Sequence, residues 1–302
     1  LLACGFAEAT AAKPINFVND VMPILTKAGC NSGECHAKAG LGQNGFELSL
    51  LGFEPREDFE HLVKEARSRR IFPAAPDQSL LLMKASSSVP HGGGTKLPRD
   101  SRGYRTLRDW ISQGLPFGED KDPALATLEV TPKGGTLKKG AKQQLKITAR
   151  YSDQSTRDVT SLALYEPNDR AMATVDDRGL VEIADLPGKV AVMVRYGGLA
   201  GVFNISVPLG AKVDALPAAK NFIDRLVFAN LKLIGIPPSS VIDDGTFLRR
   251  ASLDIGGRLP TLAETGEFLA DQSADKRERL VDTLLRSPDY ADYFANKWTS
   301  LL

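Results

Sequence analysis

Residues 17–36 read FVNDVMPILTKAGCNSGECH. The opening of this stretch has helical rhythm: Phe17, Val21, Ile24, Leu25 and Ala28 fall on one face, and Asn16 stands in the N-cap position. Pro23 removes one backbone donor within the run, so a bend is expected there. The stretch then closes on Cys30, Cys35 and His36. The chain holds only three cysteines and three histidines in 302 residues, so this cluster within seven positions calls for a chemical reason.

Two thiols with an imidazole directly after the second are what a c-type haem needs. The sulfurs bond the two vinyl groups, and the histidine turns its ring beneath the iron. The common spacing is C-x-x-C-H; here four residues separate the cysteines, and Asn31, Ser32 and Gly33 are small enough to let the loop bulge. A disulfide between Cys30 and Cys35 accounts for the same cysteines and leaves His36 an incidental neighbour. Zinc on Cys30, Cys35, His36 and one more ligand is a third reading, with only His61 and His91 left to complete it. Structural zinc ligands usually come in two pairs.

A haem iron would take a sixth ligand. His91 lies in VPHGGGTK (89–96), where Pro90 and three glycines give a backbone able to approach a flat ring. Met83 in LLLMKAS (80–86) is the alternative distal ligand, against a plain role as a core methionine. His61 falls off the apolar stripe of its helix and is expected to be solvated. Two protein ligands on the iron leave no open position for substrate, which points to electron transfer; no catalytic residue is assigned. Phe17, Leu25, Leu80 and Trp110 are expected to wrap the ring. Gly40–Gly45 matches G-x-G-x-x-G but follows no strand and opens no helix, so it reads as a loop and not a dinucleotide site.

The rest of the chain changes rhythm twice. Residues 14–118 read as helix and loop, with further helices near 57–68, 77–85 and over YRTLRDWISQG (104–114). Residues 123–208 alternate apolar and polar positions between Asp, Gly and Pro turns, the pattern of an all-β sandwich. Asp176–Gly179 reads as a hairpin turn. Residues 213–302 return to helix: Phe222, Leu226 and Ala229 form one stripe, Asp244 can cap the next helix, and Thr261 with Glu264 forms a capping box. Tyr290, Phe294, Trp298 and Leu301 make a stripe that reaches the end of the chain, so the last domain reads as truncated.

Net charge is +1, which gives no signal for nucleic acid or for a polybasic membrane patch. Residues 1–13 read as the remnant of an export signal. Ala7-Glu8-Ala9 has the form of a signal-peptidase site, and Leu1-Leu2-Ala3-Cys4 resembles a lipoprotein box with a lipid anchor at Cys4. Either places the chain in the periplasm or at the cell surface, where thiols oxidise or take up haem.

Three stretches together resemble a family: residues 17–59, RRIFPAAPDQSLLLMKASSSVPHGGG (69–94) and LRDWISQG (107–114). They are similar to the cytochrome c-like domain of large exported proteins from Planctomycetes and related bacteria. YSDQSTRDVTSLALYEPNDRAMATVDDRGLVE (151–182) resembles the bacterial immunoglobulin-like (Big-type) domain that often follows. FIDRLVFANLKLIGIPPSSVIDDGTFLRRASLDIGGRLPT (222–261) resembles the opening of a helical domain of unknown function, DUF1549. The resemblance implies an all-α cytochrome c-like domain, an all-β immunoglobulin-like sandwich and an all-α C-terminal domain. It implies one haem c on Cys30 and Cys35, with His36 as proximal and His91 as distal ligand. It also implies a redox partner, either a separate protein or a downstream domain of the same one. The alternative is a haem-free surface scaffold with a Cys30–Cys35 disulfide and a binding or spacer β-domain.

Overall fold

The computed structural model describes residues 14–33, 35–214 and 216–302. The expected signal remnant and Cys4 lie outside them. The chain divides into two compact units, the first ending at Pro237 and the second running from Pro238 to Leu302. It is a multidomain mixture of helices and sheets with a helical C-terminal part.

The first unit begins with the helix anticipated at Asn16, whose side chain accepts from the Asn19 amide at 2.8 Å. A π turn over Phe17–Val21 leads into α1 (Met22–Lys27). Pro23 thus sits in the first turn of α1, where its missing donor has no intrahelical partner to lose. The second helix is shorter than its periodicity suggests. α2 (Pro55–Val63) ends before Ala66, Arg67 and Ser68, which take φ of 52°, 59° and 55°. α3 (Leu80–Ala85) follows a short 3₁₀ turn at Pro76–Gln78. α4 (Arg102–Ser112) is capped by Ser101 and is followed by Gly114 at φ 82°.

These helices close on an aromatic core. Phe17 lies 5.1 Å from Phe59, 5.5 Å from Trp110 and 5.8 Å from Phe117, ring centre to ring centre. The Trp110 indole donates to the Pro116 carbonyl at 3.0 Å, so its one polar atom is satisfied inside the core.

Ten strands then occupy 125–207. They are β1 (Leu125–Thr131), β2 (Gly134–Thr136), β3 (Lys142–Gln144), β4 (Lys146–Tyr151), β5 (Thr156–Asp158), β6 (Leu164–Pro167), β7 (Ala173–Val175), β8 (Leu180–Ile183), β9 (Gly188–Tyr196) and β10 (Leu199–Val207). They form three sheets, ordered β1-β4-β5, β2-β10-β9-β6 and β3-β8-β7. Alternation on β9 puts Val190, Val192 and Val194 into the core, where Ile147 and Phe203 meet them. The expected turn joins β7 to β8, with the Gly179 amide donating to the Asp176 carbonyl at 3.1 Å.

The helical and β regions are joined by side-chain bonds within this unit. Arg157 pairs with Asp20 at 2.7 Å, and Lys27 donates to the Ala163 carbonyl at 2.8 Å. α5 (Phe222–Ile234) also belongs here. Its last carbonyl accepts from the Leu209 amide at 2.8 Å. The compact second unit therefore starts later than the 213 boundary read from sequence.

The second unit packs α6 (Asp244–Gly256), α7 (Leu262–Ala270), α8 (Lys276–Leu285) and α9 (Pro288–Leu301). The cap of α6 is Asp243, not Asp244: Asp243 accepts from the Thr246 amide at 2.7 Å. Asp244 instead pairs with Lys276 and Arg277, each at 2.7 Å. The Thr261–Glu264 capping box forms as expected.

Candidate functional site

The Cys30–His36 segment is a turn closed on itself. The Cys30 amide donates to the Leu25 carbonyl at the end of α1, and the His36 amide donates back to Cys30 at 3.0 Å. Asn31 is fully buried beneath it, with its amide nitrogen on Thr26 Oγ1 at 2.9 Å. A backbone bridge between Ala37 and Leu48 then brings the 40–46 loop against the motif.

A cavity of about 380 Å³ opens on this turn, within the range of cofactor pockets. Cys30, Cys35, His36 and His91 all line it, and Met83 does not. Among the described residues the two cysteines are free thiols. The rings of His36 and His91 lie 6.4 Å apart, centre to centre, with planes 9° from parallel. Each uses Nδ1 on a backbone carbonyl, His36 on Phe46 at 3.2 Å and His91 on Gly94 at 2.9 Å. A carbonyl accepts only from N–H, so both rings carry a proton on Nδ1, which leaves Nε2 as the nitrogen that can meet a metal. Metal-binding histidines are held in this way by their other nitrogen. An imidazole nitrogen sits about 2 Å from its metal, so two rings on opposite sides of one metal have centres about 6 Å apart.

Among the described residues no three His, Cys, Asp or Glu side chains are grouped to hold a metal ion. Zinc on Cys30, Cys35, His36 and a further ligand thus finds no such group. A haem iron asks less of the protein, because the porphyrin supplies four of its six ligands. Two histidines and two thiols on one cavity with a partly apolar wall are a donor set that fits a c-type haem. Burial, with the Cys35 thiol adding to it, pushes the Cys30 thiol up to about 11. Burial also lowers the His36 imidazole from its ordinary value, against the Phe46 carbonyl.

Leu25 and Leu80 line the cavity as anticipated. Phe17 and Trp110 do not; they are spent in the aromatic core. Sequence reasoning missed Phe46 and Arg70. The Phe46 ring lies 4.6 Å from that of His36, and the buried Arg70 guanidinium sits 4.4 Å over Phe46. Arg70 also donates to the carbonyls of His61 and Gly45, at 2.7 and 2.8 Å. An aromatic directly after a glycine-rich loop was the available signal. His61 is not solvated: its Nδ1 bonds the Glu47 carbonyl at 2.9 Å, and only 22% of its side chain is exposed.

A larger cleft of about 630 Å³ lies between the helical and β regions. Among the described residues no cysteine or histidine lines it, and its Asp20, Lys27, Arg157 and Asp177 side chains form the pairs Arg157–Asp20 and Lys27–Asp177. The cysteines and histidines singled out in the sequence line the smaller cavity instead. Among the described residues no helix is long and apolar enough to cross a membrane.

Residues 222–302 match the family described as PSCyt2, protein of unknown function (DUF1549). A curated relative, Ice-binding protein 1 of Shewanella frigidimarina, is 30% identical over 92 residues. That match covers 30% of this chain and 10% of the relative. Solved structures of the S-layer protein SbsC are also similar in part. Its domains 4 and 5 match at 18% identity and TM-score 0.26, over 28% of this chain and 53% of that one. A longer piece of SbsC matches at 17% identity and TM-score 0.27, over 41% of this chain and 18% of that one. The chain thus spans a small part of the curated relative and about half or less of these structures. The C-terminal part of the resemblance read from sequence is borne out by the family match.

Proposed function

We propose that residues 14–118 form an exported c-type cytochrome module that holds one haem and exchanges electrons with a redox partner or with a further domain of the same protein. The observation that carries this reading is the His36–His91 pair, parallel, tied down at both Nδ1 atoms and set at a spacing that suits one metal between them. Cys30 and Cys35 on the same cavity supply the two anchoring sulfurs. His36 serves as proximal ligand and His91 as distal ligand, in preference to Met83, which lies off the cavity wall. When bound, haem supplies a one-electron couple, and two histidine ligands favour electron transfer over substrate chemistry. The chain's part is to fix the orientation of both imidazoles through Nδ1 and keep water off the ring with Leu25, Leu48 and Leu80. A chain of this kind works outside the cytoplasm, where haem is attached.

A second reading is favoured by the likeness to a protein named for ice binding. In it the chain is a haem-free surface scaffold, Cys30 and Cys35 form a disulfide, and the β-region binds or spaces. Expression in a periplasm with haem-attachment machinery separates the two. A denaturing gel stained for haem peroxidase shows a band if the cytochrome reading holds. A colourless band with no titratable thiol from Cys30 and Cys35 would establish the scaffold.

A further inference from the structure

The cavity has a charge pattern that the paired histidines and cysteines do not explain. Arg69, Arg70, Lys84 and Lys96 line it, and among the described residues no Asp or Glu does. Four cations around one small apolar space repel one another, and a cavity of a single sign concentrates ligands of the opposite sign. Two of the four are already committed. Arg70 is fixed by the His61 and Gly45 carbonyls and by Glu65 at 3.2 Å, and Lys84 donates to the Pro90 carbonyl at 2.6 Å. Arg69 and Lys96 have no hydrogen-bond or ion-pair partner for their side chains among the described residues. The same cavity is lined by the apolar side chains of Leu25, Phe46, Leu48, Leu80 and Leu81. Apolar walls with two uncommitted cations at one cavity suit a flat, apolar body that carries carboxylates.

We infer that Arg69 and Lys96 form a carboxylate-binding pair that recognises the acidic edge of a planar dicarboxylate ligand. The inference rests on the haem reading above and deepens it, since it names the groups that orient the ring within the cavity. Charge-assisted bonds of this kind are short and directional, and arginine can meet a carboxylate with two donors. Arg69 and Lys96 therefore select for the acid form of the ring and against a neutral ester of the same shape.

The test uses the full chain purified without haem and two metal-free probes, protoporphyrin IX and its dimethyl ester. Neither has an iron for His36 or His91, so binding reports the cavity and its cations alone. Fluorescence titration is expected to show the diacid binding about tenfold tighter than the ester. In Arg69→Gln/Lys96→Gln the two probes should bind within about twofold of each other, with the circular dichroism spectrum unchanged. Equal affinities in the unaltered chain, or a preference that survives in the double variant, overturn the inference. If either occurs while the haem-stained band persists, the cytochrome reading stands without it. If neither probe binds and no band appears, both fail.

Discussion

His36 and His91 present imidazole rings 6.4 Å apart and 9° from parallel, although one belongs to the turn after α1 and the other to the glycine loop after α3. His36 is tied by Nδ1 to the Phe46 carbonyl at the end of the neighbouring 40–46 loop, and His91 to the Gly94 carbonyl of its own loop. The alignment thus rests on one backbone contact on each side. Rotating either ring would break a hydrogen bond before it changed any contact across the cavity.

In chain matured with haem, His91→Ala is expected to shift the Soret band and open the iron to carbon monoxide. Met83→Leu should leave the spectrum unchanged, because Met83 lies away from the cavity wall. The reverse result, a shift with Met83→Leu and none with His91→Ala, would return the distal role to methionine.

The Cys30 thiol should be unreactive before haem is attached. Cys30 is pushed up to about 11 from an ordinary 9.0 by burial, so it stays protonated through neutral and mildly basic pH. Two pH units correspond to about a hundredfold less thiolate at pH 8. Mass spectrometry of the haem-free chain alkylated at pH 8 should find Cys30 labelled far more slowly in the folded chain than in the denatured chain. Equal labelling would mean that the turn opens faster than the reagent reacts.

Much of this site could be read from the chain because its chemistry is local. Cys30, Cys35 and His36 are neighbours in sequence, and His91 is marked by the glycines around it. The β-region was legible for a related reason: alternation along β9 and β10 is a short-range pattern. Phe46 and Arg70 were not legible, since their value lies in the packing of Phe46 against His36 and of Arg70 over Phe46, which only the fold creates. Phe17 and Trp110 misled for the opposite reason. Large aromatics near a cofactor motif suit a ring pocket or a core equally well, and here Phe59 and Phe117 draw them into a core. The cap of α6 shows the limit of single-residue reading: Asp243 and Asp244 are equivalent as letters, and only the partners Lys276 and Arg277 separate them.

That aromatic core gives a stability prediction. Trp110 is fully buried against Phe17 and hydrogen-bonded to Pro116. Trp110→Ala should destabilise the first unit by about 3–5 kcal/mol, the usual cost of emptying such a volume. Chemical denaturation followed by hydrogen exchange in α1 and α4 measures it. Exchange in α6 to α9 should be unaffected, because those helices belong to the other compact unit.

The second unit should respond to acid through Glu264. Arg258 grips both oxygens of this carboxylate, at 2.7 and 2.9 Å, and the Thr261 amide donates to it as well. The Arg258 contact is the larger cause that pulls Glu264 down to about 2 from its ordinary 4.5. Between those values the unfolded chain binds a proton that the folded chain refuses. Stability contributed by Glu264 is therefore complete above about pH 4.5 and is lost as pH falls toward 2. Glu264→Gln keeps an acceptor for the capping box but removes the charge, so the variant should lose less stability on acidification than the unaltered chain over this window. Hydrogen exchange of α7 at pH 5 and pH 3 reads the difference. Because 40% of this side chain is exposed, the change should be modest, and it should shrink further at high salt. An acid response in Glu264→Gln as steep as in the unaltered chain would assign it to Asp243, Asp244 or Asp271, which are also held below the ordinary carboxylate range.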